Sequence, residues 1–114
     1  MKQRILVMNG QRIVQHEQGG DWKIDNVEKA RLVKPGIYNL YLATLPDKEK
    51  NYTGPILHIK DKFIYQQVGK KYIKHSADDF DIIPEIGCHS SIKYDHGKAV
   101  VSVASMKIAK TMSR

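Results

Sequence analysis

The residues best equipped for recognition chemistry lie between positions 65 and 75: Tyr65, Gln66, Gln67, Lys70, Lys71, Tyr72, Lys74 and His75. A phenol ring beside two carboxamides offers a stacking face together with donors and acceptors. That chemistry suits a single-stranded nucleic acid or a peptide edge. In a strand, Tyr65 and Gln67 share one face while Ile64, Gln66 and Val68 share the other. An ordinary strand with Tyr65 half in a core fits the same pattern, and the residues alone leave both readings open. Residues 60–74 hold five lysines (Lys60, Lys62, Lys70, Lys71 and Lys74) against the single acid Asp61, a net +4. They sit at opposite ends of one strand rather than in one patch. Lys107, Lys110 and Arg114 add charge near the C-terminus. Lysines that neutralise phosphates release counterions and make affinity fall with salt; a solvated basic surface is the competing reading.

Catalytic constellations are not found. Gly19-Gly20 lacks the lysine and helix of a phosphate loop, and no Gly-x-Ser-x-Gly elbow occurs. His58 and His75 are expected on neighbouring strands, yet with Cys88 and His89 they match no tight zinc spacing. His75 followed by Asp78 and Asp79 reads as a turn ordered by hydrogen bonds to the next loop, not as an acid–base pair. Cys88 reads as a small apolar residue near the core. The expectation is a protein that is not an enzyme, with no cofactor and no metal.

Period-2 patterning predicts strands throughout. Asn9-Gly10 between Arg4–Met8 and Gln11–Gln15 is a type I′ hairpin signal, and Trp22–Asp25 extends it into a three-stranded meander. Val27–Val33 is expected to form one or two helical turns, followed by a β run over Ile37–Ala43 after the Pro35-Gly36 turn. Gly54–Lys60 and Phe63–Val68 form a second hairpin through Asp61-Lys62, and Gly69-Lys70 leads into Lys71–His75. Ser76 is expected to cap a single helical turn at Ala77–Phe80, and Ser91–Tyr94 with Ala99–Ala104 makes the last hairpin. This predicts an all-β, mostly antiparallel fold: a small meander-type or SH3-like barrel with one short helical turn. Its expected core is Ile5, Val7, Ile13, Trp22, Ile24, Tyr38, Leu40, Leu42, Ile56, Ile64, Val68, Ile73, Phe80, Ile92, Val101 and Val103.

At 114 residues the chain is expected to form one β domain over 1–104 with a basic tail at 105–114. The net charge of +7 points toward polyanions without requiring one. Apolar runs such as Ala99–Ala104 are far shorter than the ~20 residues of a membrane span. The apolar stretch ending at Met8 is shorter than a signal-peptide core of about 7–15 residues, and one cysteine precludes an internal disulfide. A cytoplasmic protein away from membranes is expected. Oligomeric state is not legible.

Pro35-Gly36-Ile37-Tyr38-Asn39-Leu40-Tyr41-Leu42-Ala43 opens an ordered series of segments. Gly54-Pro55-Ile56-Leu57-His58, Ile64–Gly69, Ile73-Lys74-His75, Pro84-Glu85-Ile86-Gly87, Ile92-Lys93-Tyr94 and Gly97–Val101 follow it. This order resembles the KfrB domain of plasmid-encoded proteins over about residues 35–103. The resemblance implies plasmid maintenance or conjugative transfer in Gram-negative bacteria. It also implies an accessory, protein-interacting module whose partner is a transfer or maintenance protein; the family offers no catalytic residue to carry over. The alternative from charge and composition is a small basic domain binding single-stranded DNA or RNA. The working surface is expected on Gly54–Val68 and its continuation to His75, not on the N-terminal meander.

Overall fold

Asn9 and Gly10 take positive φ of 51° and 74°, the left-handed pair that a type I′ hairpin demands. The turn joins β1 (Gln3–Met8) to β2 (Gln11–Gln18), and β3 (Asp21–Lys29) follows. In the computed structural model, which describes residues 2–103, nine strands form two antiparallel sheets. The first has the order β3-β2-β1-β4, with β4 spanning Gly36–Tyr38. The second comprises β5 (Tyr52–Lys60), β6 (Phe63–Val68), β7 (Lys71–Ser76), β8 (His89–Asp95) and β9 (Lys98–Val103), in the order β7-β6-β5-β8-β9. The all-β, antiparallel expectation therefore holds. The sheets do not close into a barrel, because β3, β4, β7 and β9 remain at sheet edges and no strand is shared between the sheets.

β5 is the strand that organises the second sheet. Its first half, Tyr52–Pro55, pairs with β8, and its second half, Ile56–Lys60, pairs with β6. A bulge between Ile56 and His58 leaves Leu57 without an opposite residue. Ile56, Leu57 and His58 are consequently all buried in succession. Ile56 joins Ile64, Phe80, Ile92 and Ala99 in one core, while Leu57 joins Ile5, Val7, Tyr38 and Leu40 in the core between the two sheets. β6 thus has a packed core on each face. Gly54 sits where β5 changes partner, and a Cβ there would lie 1.7 Å from the Gln67 carbonyl oxygen. No side chain fits beneath that crossing.

Several local expectations are corrected. Val27–Val33 is not helical: β3 continues to Lys29, with Val27 and Glu28 paired to Ile13 and Arg12. A lone helical turn closes few hydrogen bonds, and the ladder outweighs it. The β run over Ile37–Ala43 stops at Tyr38, and Leu40–Leu42 is a 3₁₀ turn closed by Leu42 N–H to Asn39 O and Ala43 N–H to Leu40 O. That turn leaves Leu42 exposed. Ile24 is exposed as well, because a bulge between Val14 and Gln15 sets it opposite Gln15 on the face away from the core. The turn after β7 is 3₁₀ over Ala77–Asp79, but the Ser76 side chain makes no capping bond. The core assignment of Val103 and the tail 105–114 concern side chains and residues outside those described.

Candidate interaction surface

Alternation along β6 sorts the predicted residues as expected, but packing gives each face a different fate. Tyr65 is half-buried against the core between the sheets, its ring stacked on His58 with centroids 6.4 Å apart. Tyr72 packs on the same core. Gln67 lines a cleft of about 300 Å³ with Tyr38, Leu57 and His89. Lys74 shares a pocket of about 150 Å³ with Tyr65, Gln3 and Tyr41, and its ammonium lies 5.0 Å from the Phe63 ring. Lys70 and Lys71 are exposed beyond the end of β6. The edge of β7 is partly covered, since Thr44 N–H donates to Tyr72 O and Lys74 N–H to Thr44 O.

Gln66 and His75 are withdrawn from any surface: both are fully buried. The Gln66 amide nitrogen donates to the carbonyls of Tyr52, Gly54 and Ser90 at 3.3, 3.1 and 2.9 Å. Those carbonyls lie where β5 leaves β8 for β6, and the side chain supplies hydrogens that a ladder cannot. With Nε2 so committed, Gln66 Oε1 must accept, and His75 Nε2–H donates to it at 2.8 Å. His75 Nδ1 is then the acceptor for the Tyr94 hydroxyl at 2.7 Å. The imidazole is neutral: burial lowers its pKa to about 4, against the opposing pull of Asp79. Burial, with Asp79 and Tyr52, pushes the Tyr94 hydroxyl up. His75 therefore holds three strands together and does not order the following loop.

A second buried polar group lies between the sheets. Arg12, 1% exposed, donates to the Lys29 carbonyl and pairs with Glu28. Burial lowers the pKa of the guanidinium while Glu28 pulls it up. His58, 4% exposed, has a pKa lowered to about 4, first by burial and then by Arg12. His58 and His75 are not on neighbouring strands; β6 separates them, and they face opposite cores. Among the described residues, no three His, Cys, Asp or Glu side chains group as a metal set, and no helix is long and apolar enough to cross a membrane.

A concavity larger than the Gln67 cleft or the Lys74 pocket lies elsewhere. β9 is an edge strand, and among the described residues its outer side is bridged at Ala99, by Phe80. Beyond that bridge the segment 81–85 diverges from the strand and opens a groove of about 580 Å³. Asp81, Ile82, Ile83, Pro84, Val100 and Val101 contribute to its walls. Ile82 is 78% exposed, and Ile83 and Val100 are also open to solvent. Neither Ile82 nor Ile83 figures among the expected core or binding residues, and Pro84 entered only as part of the family-like segment Pro84–Gly87.

The description "KfrB Domain" matches residues 51–103, which comprise β5 to β9 and this groove. The match begins after β4 and the first 3₁₀ turn, so it is shorter than the likeness seen over 35–103. The chain is also 30% identical over 103 residues to Protein TraB of Escherichia coli, spanning 86% of this chain and 69% of that protein. This protein belongs to the KfrB-domain family.

Proposed function

We propose that this is a plasmid-encoded accessory protein, not an enzyme, that works in the cytoplasm as a protein-interaction module in conjugative transfer or plasmid maintenance. The observation that carries the reading is the apolar groove beside the β9 edge, which is unpaired past Ala99 among the described residues and lies inside the family-matched region. An extended segment of a partner can pair with the β9 edge past Ala99 and set alternate side chains against Ile82, Ile83 and Val100. The name of the TraB relative supports a transfer setting. The test is affinity purification of the full chain from plasmid-bearing cells, with and without nuclease. It is run beside an Ile83→Asp, Val100→Asp variant whose fold is checked by circular dichroism. A plasmid-encoded protein retained after nuclease and lost from the variant is the expected result. Retention by the folded variant places the partner elsewhere and removes the groove from the argument.

A further inference from the structure

The outer face of the first sheet carries a cluster that neither the family match nor the β9 groove involves. Trp22 of β3 and Arg4 of β1 lie on that face with Gln15 and Glu17, since Arg4 is registered with Gln15 and Trp22 with Glu17. The Arg4 guanidinium stacks on the Trp22 ring at 4.1 Å from its centroid. Arg4 Nε–H donates to Gln15 Oε1 at 2.8 Å, and Gln15 is itself only 9% exposed. Trp22 meets Tyr41 of the first 3₁₀ turn at 6.3 Å between centroids, and the Lys2 ammonium lies 5.2 Å from the Tyr41 ring. Tyr41 is 41% exposed. The one carboxylate in the group, Glu17, reaches Lys2 at 3.9 Å.

We propose that Lys2, Arg4, Trp22 and Tyr41 form a binding platform for single-stranded nucleic acid. Two aromatic rings alternate with two cations, which is what a chain of flat bases joined by phosphates requires. Arg4 is pre-oriented: Gln15 ties down its Nε and Trp22 its plane, leaving both Nη groups free of protein partners among the described residues. A guanidinium held in this way presents two parallel donors to a phosphate at little further entropic cost. Lys74 lines the small pocket that Tyr41 also lines and adds a further cation near the platform. An acidic peptide would satisfy the cations but would leave the ring faces without matching flat groups, so the nucleic acid is the better fit. The overall charge of +7 favours approach of any polyanion.

The platform is on the other sheet from the β9 groove, so the two readings fail separately. Trp22 is the only tryptophan of the chain, and its intrinsic fluorescence reports on the site directly. Titration of the full chain with a short oligodeoxythymidine should quench that fluorescence saturably. With Lys2 and Arg4 each neutralising a phosphate, the logarithm of the binding constant should fall with log salt at a slope of about −1.4. Arg4→Gln should halve that slope, and Tyr41→Ala should weaken binding roughly tenfold, as loss of one stacking partner does. If Arg4→Gln fails to fold by circular dichroism, Lys2→Gln carries the same slope test. Polyglutamate should not compete at matched charge. Absence of saturable quenching, quenching unaltered in the folded variants, or equal competition by polyglutamate each overturns the proposal.

Discussion

Lowering the pH from 7 toward 4 should unfold this protein through His58 and His75. Both imidazoles are buried and neutral, with folded pKa values of about 4 against the ordinary 6.5. Because the folded values lie below the unfolded one, the unfolded chain takes up the extra protons first. Their contribution to stability is complete above about pH 6.5 and is lost as the pH falls toward 4. A depression of this size corresponds to roughly 3 kcal/mol for each histidine, and the two together approach the total stability of about 5–15 kcal/mol expected of a domain. The cause is visible in the bonding. A protonated His75 would turn its Nδ1–H against the Tyr94 hydroxyl, which now donates to it. A protonated His58 would face Arg12. Urea unfolding at a series of pH values should show stability falling by up to about 3 kcal/mol per pH unit within that window. His75→Gln should remove about half of that slope while lowering stability at neutral pH. A stability that stays flat from pH 7 to 5, or a slope indifferent to loss of His75, would refute the neutral relay drawn here.

Other perturbations separate the structural roles. Gly54→Ala should prevent stable folding, a loss of about 4 kcal/mol or more, because the new Cβ would overlap the Gln67 carbonyl at 1.7 Å. Gly69→Ala, at a φ of +61° but with open space around it, should lower stability by only about 1–2 kcal/mol in urea unfolding. Glu28→Gln should destabilise by roughly 1–3 kcal/mol, since it strips the buried Arg12 of a counter-charge that is itself partly screened by solvent. The double change with Arg12→Met should recover much of that loss in chemical denaturation. Tyr65→Ala should reduce stability by roughly 3 kcal/mol, as expected of a ring packed between His58 and the inter-sheet core. It should leave recognition at the β9 groove unchanged in the purification assay.

Turn chemistry is what the sequence displayed most openly. Asn9-Gly10, Asp61-Lys62 and His96-Gly97 each join paired strands, and Asn9, Asp61 and His96 all adopt the positive φ that short polar side chains tolerate. The strand faces of β6 were legible for the same reason, since alternation is a property of the backbone. What covers a face is not. Gln66 and Gln67 are identical in type, yet one is sealed in a core and the other lines a cleft, and the difference lies in β8 and β9, more than twenty residues downstream. Trp22 and Ile24 alternate as a core-facing pair, but the bulge at Val14/Gln15 governs the register of β3, and no residue type announces it. The aromatic–cation cluster was invisible for a related reason. Lys2, Arg4, Trp22 and Tyr41 are scattered over forty positions, and only the β3-β2-β1-β4 order gathers them.

The polar interior follows from a single topological event. When β5 exchanges β8 for β6, the strands on either side can no longer satisfy all of its backbone groups, and an unmade buried bond costs about 1–3 kcal/mol. Glycine at 54 lets the chains cross at contact distance, and the bulge at Leu57 re-aims the strand toward two cores at once. The carbonyls left at the crossing then need a donor with more than one hydrogen on a reach longer than serine or asparagine. Glutamine at 66 provides it, and its own oxygen needs the Nε2–H of His75, which in turn needs the hydroxyl of Tyr94. Each polar residue in the sequence is thereby required by the one before it, starting from a backbone that changes partners. Of the residues that look most like a binding motif, Gln66 and His75 form an internal brace and Tyr65 and Tyr72 pack on the inter-sheet core, while Gln67 lines a cleft and Lys70 and Lys71 stay exposed. The β9 groove and the outer face of the first sheet are the further surfaces proposed for recognition.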